Sequence, residues 1–218
     1  SGRLAAPPPG QPPGLPTASA AQEYAPPTAT GLAAPFSARC LSGKAQCKAE
    51  LQRGLGLEER PEVPLLALIS RLTSQKCLDF IEFVLDDIMR TGVQFVVLGR
   101  GEEHYQELFS WADWRYQNRM ATRIELNVPL SHRIYAGADM MLIPSQFEPC
   151  GLTQMISMRY GTLPLVRETG GLKDSVKAYN RFTGEGNGFS VPHHNAHDKL
   201  ENIDSPVHLC PIDQKTCR

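Results

Sequence analysis

Three short stretches carry residue types suited to gripping an anion and a sugar. Arg71 and Lys76 bracket "RLTSQK", directly after an apolar run. Two fixed positive charges beside the start of a helix make a site for a phosphate or diphosphate. Spacing alone describes two solvated surface cations equally well. In "ETGGLKD", Gly170 and Gly171 permit close backbone approach just ahead of a helix, which again suits a phosphate, although such a pair is also an ordinary turn. The third stretch is "PSQFEPCGLTQ", in which Glu148 follows a hydrophobic run. A carboxylate at the exit of a buried strand is costly unless a partner awaits it. It either caps the following helix, or faces a crevice and holds sugar hydroxyls or positive charge developing at an anomeric carbon.

Other signals are weaker. "LGRGEEH" has only G-x-G and does not follow the first strand, so the dinucleotide fingerprint is absent and a dehydrogenase is disfavoured. "HHNAH", with His193, His194, His197 and Asp198, has metal-ligand spacing but no second cluster, and reads as a polar loop. Trp111 and Trp114 lie at helical spacing and read as packing residues rather than a sugar platform. Six cysteines are scattered without a C-x-x-C pair, which fits reduced thiols in a cytosolic setting.

The elements around these residues follow from hydrophobic periodicity. "LSGKAQCKAELQRGLGL" reads as a helix capped by Ser42, with Ala45, Leu51 and Leu55 on one stripe and Gly54 and Gly56 closing it. Beyond it, "VPLLALISR" is a buried parallel strand, and "SQKCLDFIEFVLDDIMRTG" is a helix with Leu78, Ile81, Leu85 and Ile88 on its stripe and Gly92 at its stop. Strand and helix then alternate. "VQFVVLGRG", "TRIEL", "DMMLIPS" and "TLPLVRE" are strands; "EEHYQELFSWADWRYQ", "PLSHRIYAGA", "GLTQMISMRYG" and "GLKDSVKAY" are helices. Such alternation specifies an α/β fold, a Rossmann-like parallel sheet with helices on both faces and right-handed crossovers. Ligands of these sheets lie beyond the carboxyl ends of the strands, where Arg71, Lys76, Gly99, Arg100, Glu148, Gly170 and Gly171 fall.

Residues 1–35 are rich in Pro, Ala and Gly and read as a disordered or extended arm, 41–200 as the domain that carries the alternating strands and helices, and 201–218 as an irregular tail. The 218 residues carry a formal net charge of −1, which argues against nucleic-acid or membrane-surface binding by bulk charge. The apolar runs are too short to cross a bilayer, and no basic-then-apolar leader opens the chain.

"ISRLTSQK", "GADMMLIPSQFEPCGLTQMISMRYGTLPLVRETGGLKDSV" and "GEGNGFS" resemble the carboxy-terminal domain of bacterial glycogen synthases and starch synthases that use ADP-glucose. The resemblance runs from about Leu41 to about Leu200. It implies the carboxy-terminal half of a two-domain GT-B glycosyltransferase, with the acceptor-side domain outside this chain. The implied reaction is retaining transfer of glucose from ADP-glucose to the non-reducing end of an α-1,4-glucan such as glycogen. Arg71 and Lys76 would bind and stabilise the leaving diphosphate. Glu148 would hold the donor glucose near its 3-hydroxyl, supported by the backbone of Cys150 and Gly151. Thr169, Gly170 and Gly171 would cradle the distal phosphate. No metal and no cofactor are implied, and the location would be cytoplasmic, or plastidic in a plant or alga.

The chain departs from that pattern at Cys77, where many members have glycine, and at Gln146, where many have arginine. Leu126 stands where some relatives carry an aromatic. Three rival readings remain: a non-catalytic nucleotide-sugar-binding module, a related transferase using UDP-glucose, and an interaction protein built around the proline-rich arm.

Overall fold

The computed structural model describes residues 31–36, 42–145, 152–167, 186 and 188–191. They form helix α1 (Ser42–Leu55), strand β1 (Leu65–Ile69), a single 3-10 turn (Ser74–Lys76), α2 (Leu78–Arg90), β2 (Gln94–Leu98), α3 (Glu103–Arg115), β3 (Met120–Arg123), α4 (Val128–Gly137), β4 (Met140–Ile143), α5 (Leu152–Arg159), β5 (Leu163–Arg167) and β6 (Phe189–Val191). The strands make one sheet in the order β3-β2-β1-β4-β5-β6. Every pairing is parallel.

The chain first steps from β1 outward to β2 and β3, then returns to the other side of β1 for β4 and β5. Right-handed crossovers travelling in opposite directions must cover opposite faces. The two hydrophobic cores are built accordingly. Leu66, Leu68, Phe95 and Val97 pack with α2 and α3 on one face. Leu65, Ala67, Val96 and Leu98 pack with α1 and α4 on the other. Successive strand residues thus serve alternate cores, as the pleat requires. Because both faces are covered, the strands read as continuous apolar runs.

Helix α2 carries the expected stripe: Leu78, Ile81, Leu85 and Ile88 are all buried, and Gly92 ends the turn at a φ of 88°. Helix α1 is different. Its buried residues are Gly43, Cys47, Lys48, Leu51 and Gln52, whereas Ala45 and Leu55 are only partly covered. Ser42 lies within the helix. Two lysines of α1 replace the expected apolar contacts. Lys48 Nζ donates to Asp139 Oδ2 at 2.7 Å and to the carbonyls of Pro61 and Val63 at 3.0 and 2.7 Å. Lys44 Nζ donates to the carbonyls of Ala136 at 3.0 Å and Tyr160 at 3.2 Å, and to Thr162 Oγ1 at 2.8 Å. A cation there also meets the negative ends of α4 and α5.

Strand β3 begins two residues earlier than its apolar pattern suggests, because Phe95 to Leu98 pair with Met120 to Arg123. Leu126 is left exposed. Strand β6 had no strand-like periodicity and was not expected. Ala34 and Phe36, at the end of the proline-rich stretch, are buried, and Phe36 packs into the second core. The expected helix at 171–179 and the "HHNAH" segment lie outside the described residues.

The expectation that Trp111 and Trp114 pack inside is wrong. They are 47% and 69% exposed. The buried stripe of α3 is Tyr105, Phe109 and Ala112, at i, i+4 and i+7, and the two indoles stand outside it. Helices α2 and α3 are stitched by polar pairs instead. Tyr105 donates to Asp79, Tyr116 donates to Asp86, and His104 Nε2 meets Glu82 Oε2 at 2.9 Å. The hydrogen bond to Asp79, with burial, raises the Tyr105 phenol above its ordinary range.

Two outcomes follow. Lys48→Met leaves Asp139 without its cation and should lower stability by about 3 kcal/mol in urea unfolding, while Lys48→Met with Asp139→Leu recovers most of it. The hydrogen bond and charge of Glu82 raise the His104 pKa. Its stabilisation is therefore complete below the unfolded-state value and fades as pH rises through the folded one. An NMR titration should show the His104 midpoint falling in Glu82→Gln.

Candidate functional site

The order in which the chain adds strands reverses between β1 and β4, so their following connections leave on opposite faces and part above the strand ends. A cleft of about 190 Å³ opens there. Its wall is made by Ile69, Ser70, Arg71 and Lys76 after β1, by Ile143, Pro144 and Ser145 after β4, and by Thr153 in the first turn of α5. The structure therefore brings Arg71 and Lys76 to one cleft at the topological switch point, where open α/β sheets hold ligands. Arg71 is exposed and Lys76 is half-buried. The cleft floor is apolar, from Leu68 and Leu142, and a polar rim stands over it.

Glu148, Cys150 and Gly151 lie outside the described residues, as does Gln146. The described neighbours on either side, Ser145 and Thr153, both line the cleft. Thr169, Gly170 and Gly171 also lie outside the described residues, beyond the end of β5.

What positions Arg71 is a backbone zipper between the exits of β1 and β2. Ser70 N donates to Leu98 O at 3.2 Å, Leu72 N to Arg100 O at 3.1 Å, and Glu102 N to Leu72 O at 2.7 Å. Leu72 and Gly101 form a parallel bridge. The glycines of "LGRG" make this approach possible. A Cβ at Gly99 would stand 2.0 Å from the Ser70 carbonyl oxygen, and one at Gly101 would stand 2.1 Å from that of Leu72. Their spacing signals backbone-to-backbone contact. Sequence reasoning tested the pair only as part of a nucleotide fingerprint and missed that role.

Lys76 ends the 3-10 turn, and Glu102 Oε1 accepts from Ser74 N at 3.2 Å. Cys77 then adopts φ 53° and ψ 39°. That left-handed conformation costs a non-glycine residue about 1–2 kcal/mol. The chain turns there so that α2 can begin at Leu78 while Lys76 faces the cleft. Thr73 Oγ1 is buried without a hydrogen-bond partner among the described residues.

This geometry has counterparts among known proteins. The model for glycosyl transferases group 1 matches residues 56–211. The chain belongs to that family. It is 51% identical over 184 residues to a glycogen synthase of Desulforamulus reducens, covering 84% of this chain and 38% of the relative. It is 48% identical over 168 residues to a glycogen synthase of Clostridium acetobutylicum, covering 77% and 35%. Among solved structures, it superposes with a TM-score of 0.80 on the catalytic domain of starch synthase IV from Arabidopsis thaliana bound to ADP and acarbose. Identity there is 35%, with coverage of 88% of this chain and 40% of that one. The fold is thus the Rossmann-like sheet of a GT-B glycosyltransferase, and the chain spans roughly two-fifths of the length of these relatives.

Backbone substitutions should read in opposite directions at the two exits. Gly99→Ala should cost about 1–3 kcal/mol in thermal unfolding, because carbonyl oxygen and Cβ cannot share the space. Cys77→Gly should raise stability, by about 0.5–1 kcal/mol, since glycine takes the left-handed turn without strain.

Proposed function

We propose that this chain is the donor-binding part of a glycogen or starch synthase, which transfers glucose from ADP-glucose to the non-reducing end of an α-1,4-glucan with retention at the anomeric carbon. The observation that carries the reading is the pairing of Arg71 and Lys76 at the cleft between β1 and β4. The relatives named glycogen synthase support it.

In this reading the nucleotide diphosphate lies across the strand ends. Arg71 offers a planar fork that spans two phosphate oxygens, and Lys76 offers a compact charge from the other side of the loop. When the bond from C1 to the diphosphate breaks, negative charge collects on the leaving group. Cations fixed beforehand stabilise that charge without reorganising during the step, which lowers the barrier. The two side chains supply the neutralisation a metal ion provides elsewhere. Glu148 holds the glucose ring near its 3-hydroxyl, with the backbone of Cys150 and Gly151 behind it. Thr169, Gly170 and Gly171 receive the distal phosphate. A cytoplasmic or plastidic location fits a soluble sugar nucleotide and a glucan polymer as substrates.

Calorimetric titration tests the roles separately. Lys76→Ala should weaken ADP binding by about 1.5–3 kcal/mol, the range of a charge-assisted contact, or roughly 10- to 150-fold. Glu148→Ala should bind ADP as before and lose the gain in affinity that the glucose moiety brings. If Glu148→Ala abolished ADP binding, the assigned role would be wrong. Tighter binding of UDP than of ADP would point to the UDP-glucose alternative.

A further inference from the structure

The 3-10 turn that carries Lys76 is three residues long and has no cap of its own. Its internal bonds are Lys76 N to Thr73 O at 3.0 Å and Cys77 N to Ser74 O at 2.9 Å. Thr73 precedes it in an extended conformation, φ −135° and ψ 157°, which suits a capping residue, yet its side chain makes no cap bond. The first residues of the turn include no acid. A turn this short, with the poorer hydrogen-bond geometry of the 3-10 form, keeps one shape only when something outside supports it.

The support comes from the exit of the neighbouring strand, 28 residues along the chain. Glu102 Oε1 accepts from Ser74 N at 3.2 Å, the charge-assisted bond that a capping carboxylate makes. The backbone beneath that carboxylate is itself pinned. Glu102 N donates to Leu72 O at 2.7 Å, and Glu102 O accepts from Gln106 N at 3.2 Å in the first turn of α3. Gln106 Nε2 also donates to Gly101 O at 2.8 Å. A Cβ at Gly101 would stand 2.1 Å from Leu72 O, so glycine there is what lets Glu102 come so close to the turn.

We infer that Glu102 is a positioning residue for Lys76: its carboxylate holds the turn from Ser74 so that the ammonium is in place before a nucleotide diphosphate arrives. Lys76 acts here in the cleft role proposed for it, on which this inference rests. A lysine on an unsupported turn must be ordered, backbone and side chain together, at the moment of binding, and that cost is subtracted from affinity. A turn fixed beforehand removes the backbone share and leaves the charge preorganised. The sheet order separates the two charges. Strands β2 and β4 flank β1 on opposite sides, so Glu102 reaches the turn from the β2 side, while the cleft lined by Lys76 lies at the β4 side.

Calorimetric titration of the full chain with ADP reads this coupling. Glu102→Ala should weaken ADP binding roughly five- to tenfold, and Glu102→Gln, which keeps the acceptor oxygen, should lose about twofold at most. Glu102→Asp keeps the charge but stops one methylene short of Ser74, and should weaken binding nearly as much as alanine; it takes the place of an alanine variant that circular dichroism shows unfolded. In a Lys76→Ala background Glu102→Ala should have no further effect, whereas beside Arg71→Ala it should keep its full one. Ser74→Pro repeats the test from the donor side. Proline fits after the extended Thr73 and at the first position of the turn, so it deletes the N–H and keeps the shape. Glu102→Ala should then change nothing. Affinity that survives both Glu102→Ala and Glu102→Asp overturns the inference. So does a loss of equal size in the Lys76→Ala or Ser74→Pro background, since the carboxylate would then serve the loop as a whole. If Lys76→Ala by itself binds ADP as tightly as the unaltered chain, the cleft reading fails and the role of Glu102 falls with it; the silence of that single variant tells the two failures apart.

Discussion

Arg71 and Lys76 stand on one short exit from a strand and line the same cleft, so an anion seated there meets both charges. The sheet order creates the place for it. With β1 in the middle, the chain leaves toward β2 on one side and returns to β4 on the other. The strand ends at that reversal have no crossover above them, so a cleft forms there for topological reasons. Arg71 and Lys76 then give it a sign. The zipper from Ser70 to Glu102 fixes the first cation, and the left-handed turn at Cys77 fixes the second.

The opposite end of the sheet is held by different means. Lys48 and Asp139 tie α1 and the segment before β1 to the start of β4, and the same carboxylate accepts from Leu65 N at 2.8 Å. Lys44 clamps the ends of α4 and α5 together. A nearly buried ion pair contributes little against an apolar replacement of equal shape, yet losing one partner is costly. It therefore works as a register device. It fixes where β1 and β4 sit relative to each other, and the cleft lies between the far ends of those two strands.

Much of this was legible in the sequence, for physical reasons that can be named. Strands β1, β2, β4 and β5 leave nearly unbroken apolar runs, and α2 carries so regular a stripe that its buried residues could be listed in advance. The cations were found because strand-to-helix junctions are where such sheets hold anions. Other features left no periodic trace. Lys44 and Lys48 look like solvated lysines until the carbonyls of distant helix ends surround the first, and Asp139 with the carbonyls of Pro61 and Val63 surround the second. The glycines of "LGRG" resemble a nucleotide fragment, and only the contact with Ser70 and Leu72 reveals their use. Trp111 and Trp114 were read as core because size and helical spacing suggest burial, but the stripe that reaches the sheet is offset from them. Strand β6 is too short and too rich in glycine before it to announce itself.

The central claim is that the donor's diphosphate sits across the ends of β1 and β4. A crystal structure of the chain with ADP tests it most directly. The phosphates should lie within hydrogen-bond distance of the Arg71 guanidinium and the Lys76 ammonium, above Ser145 and the first turn of α5. A nucleotide ordered elsewhere, with those two side chains touching only solvent, would contradict the account.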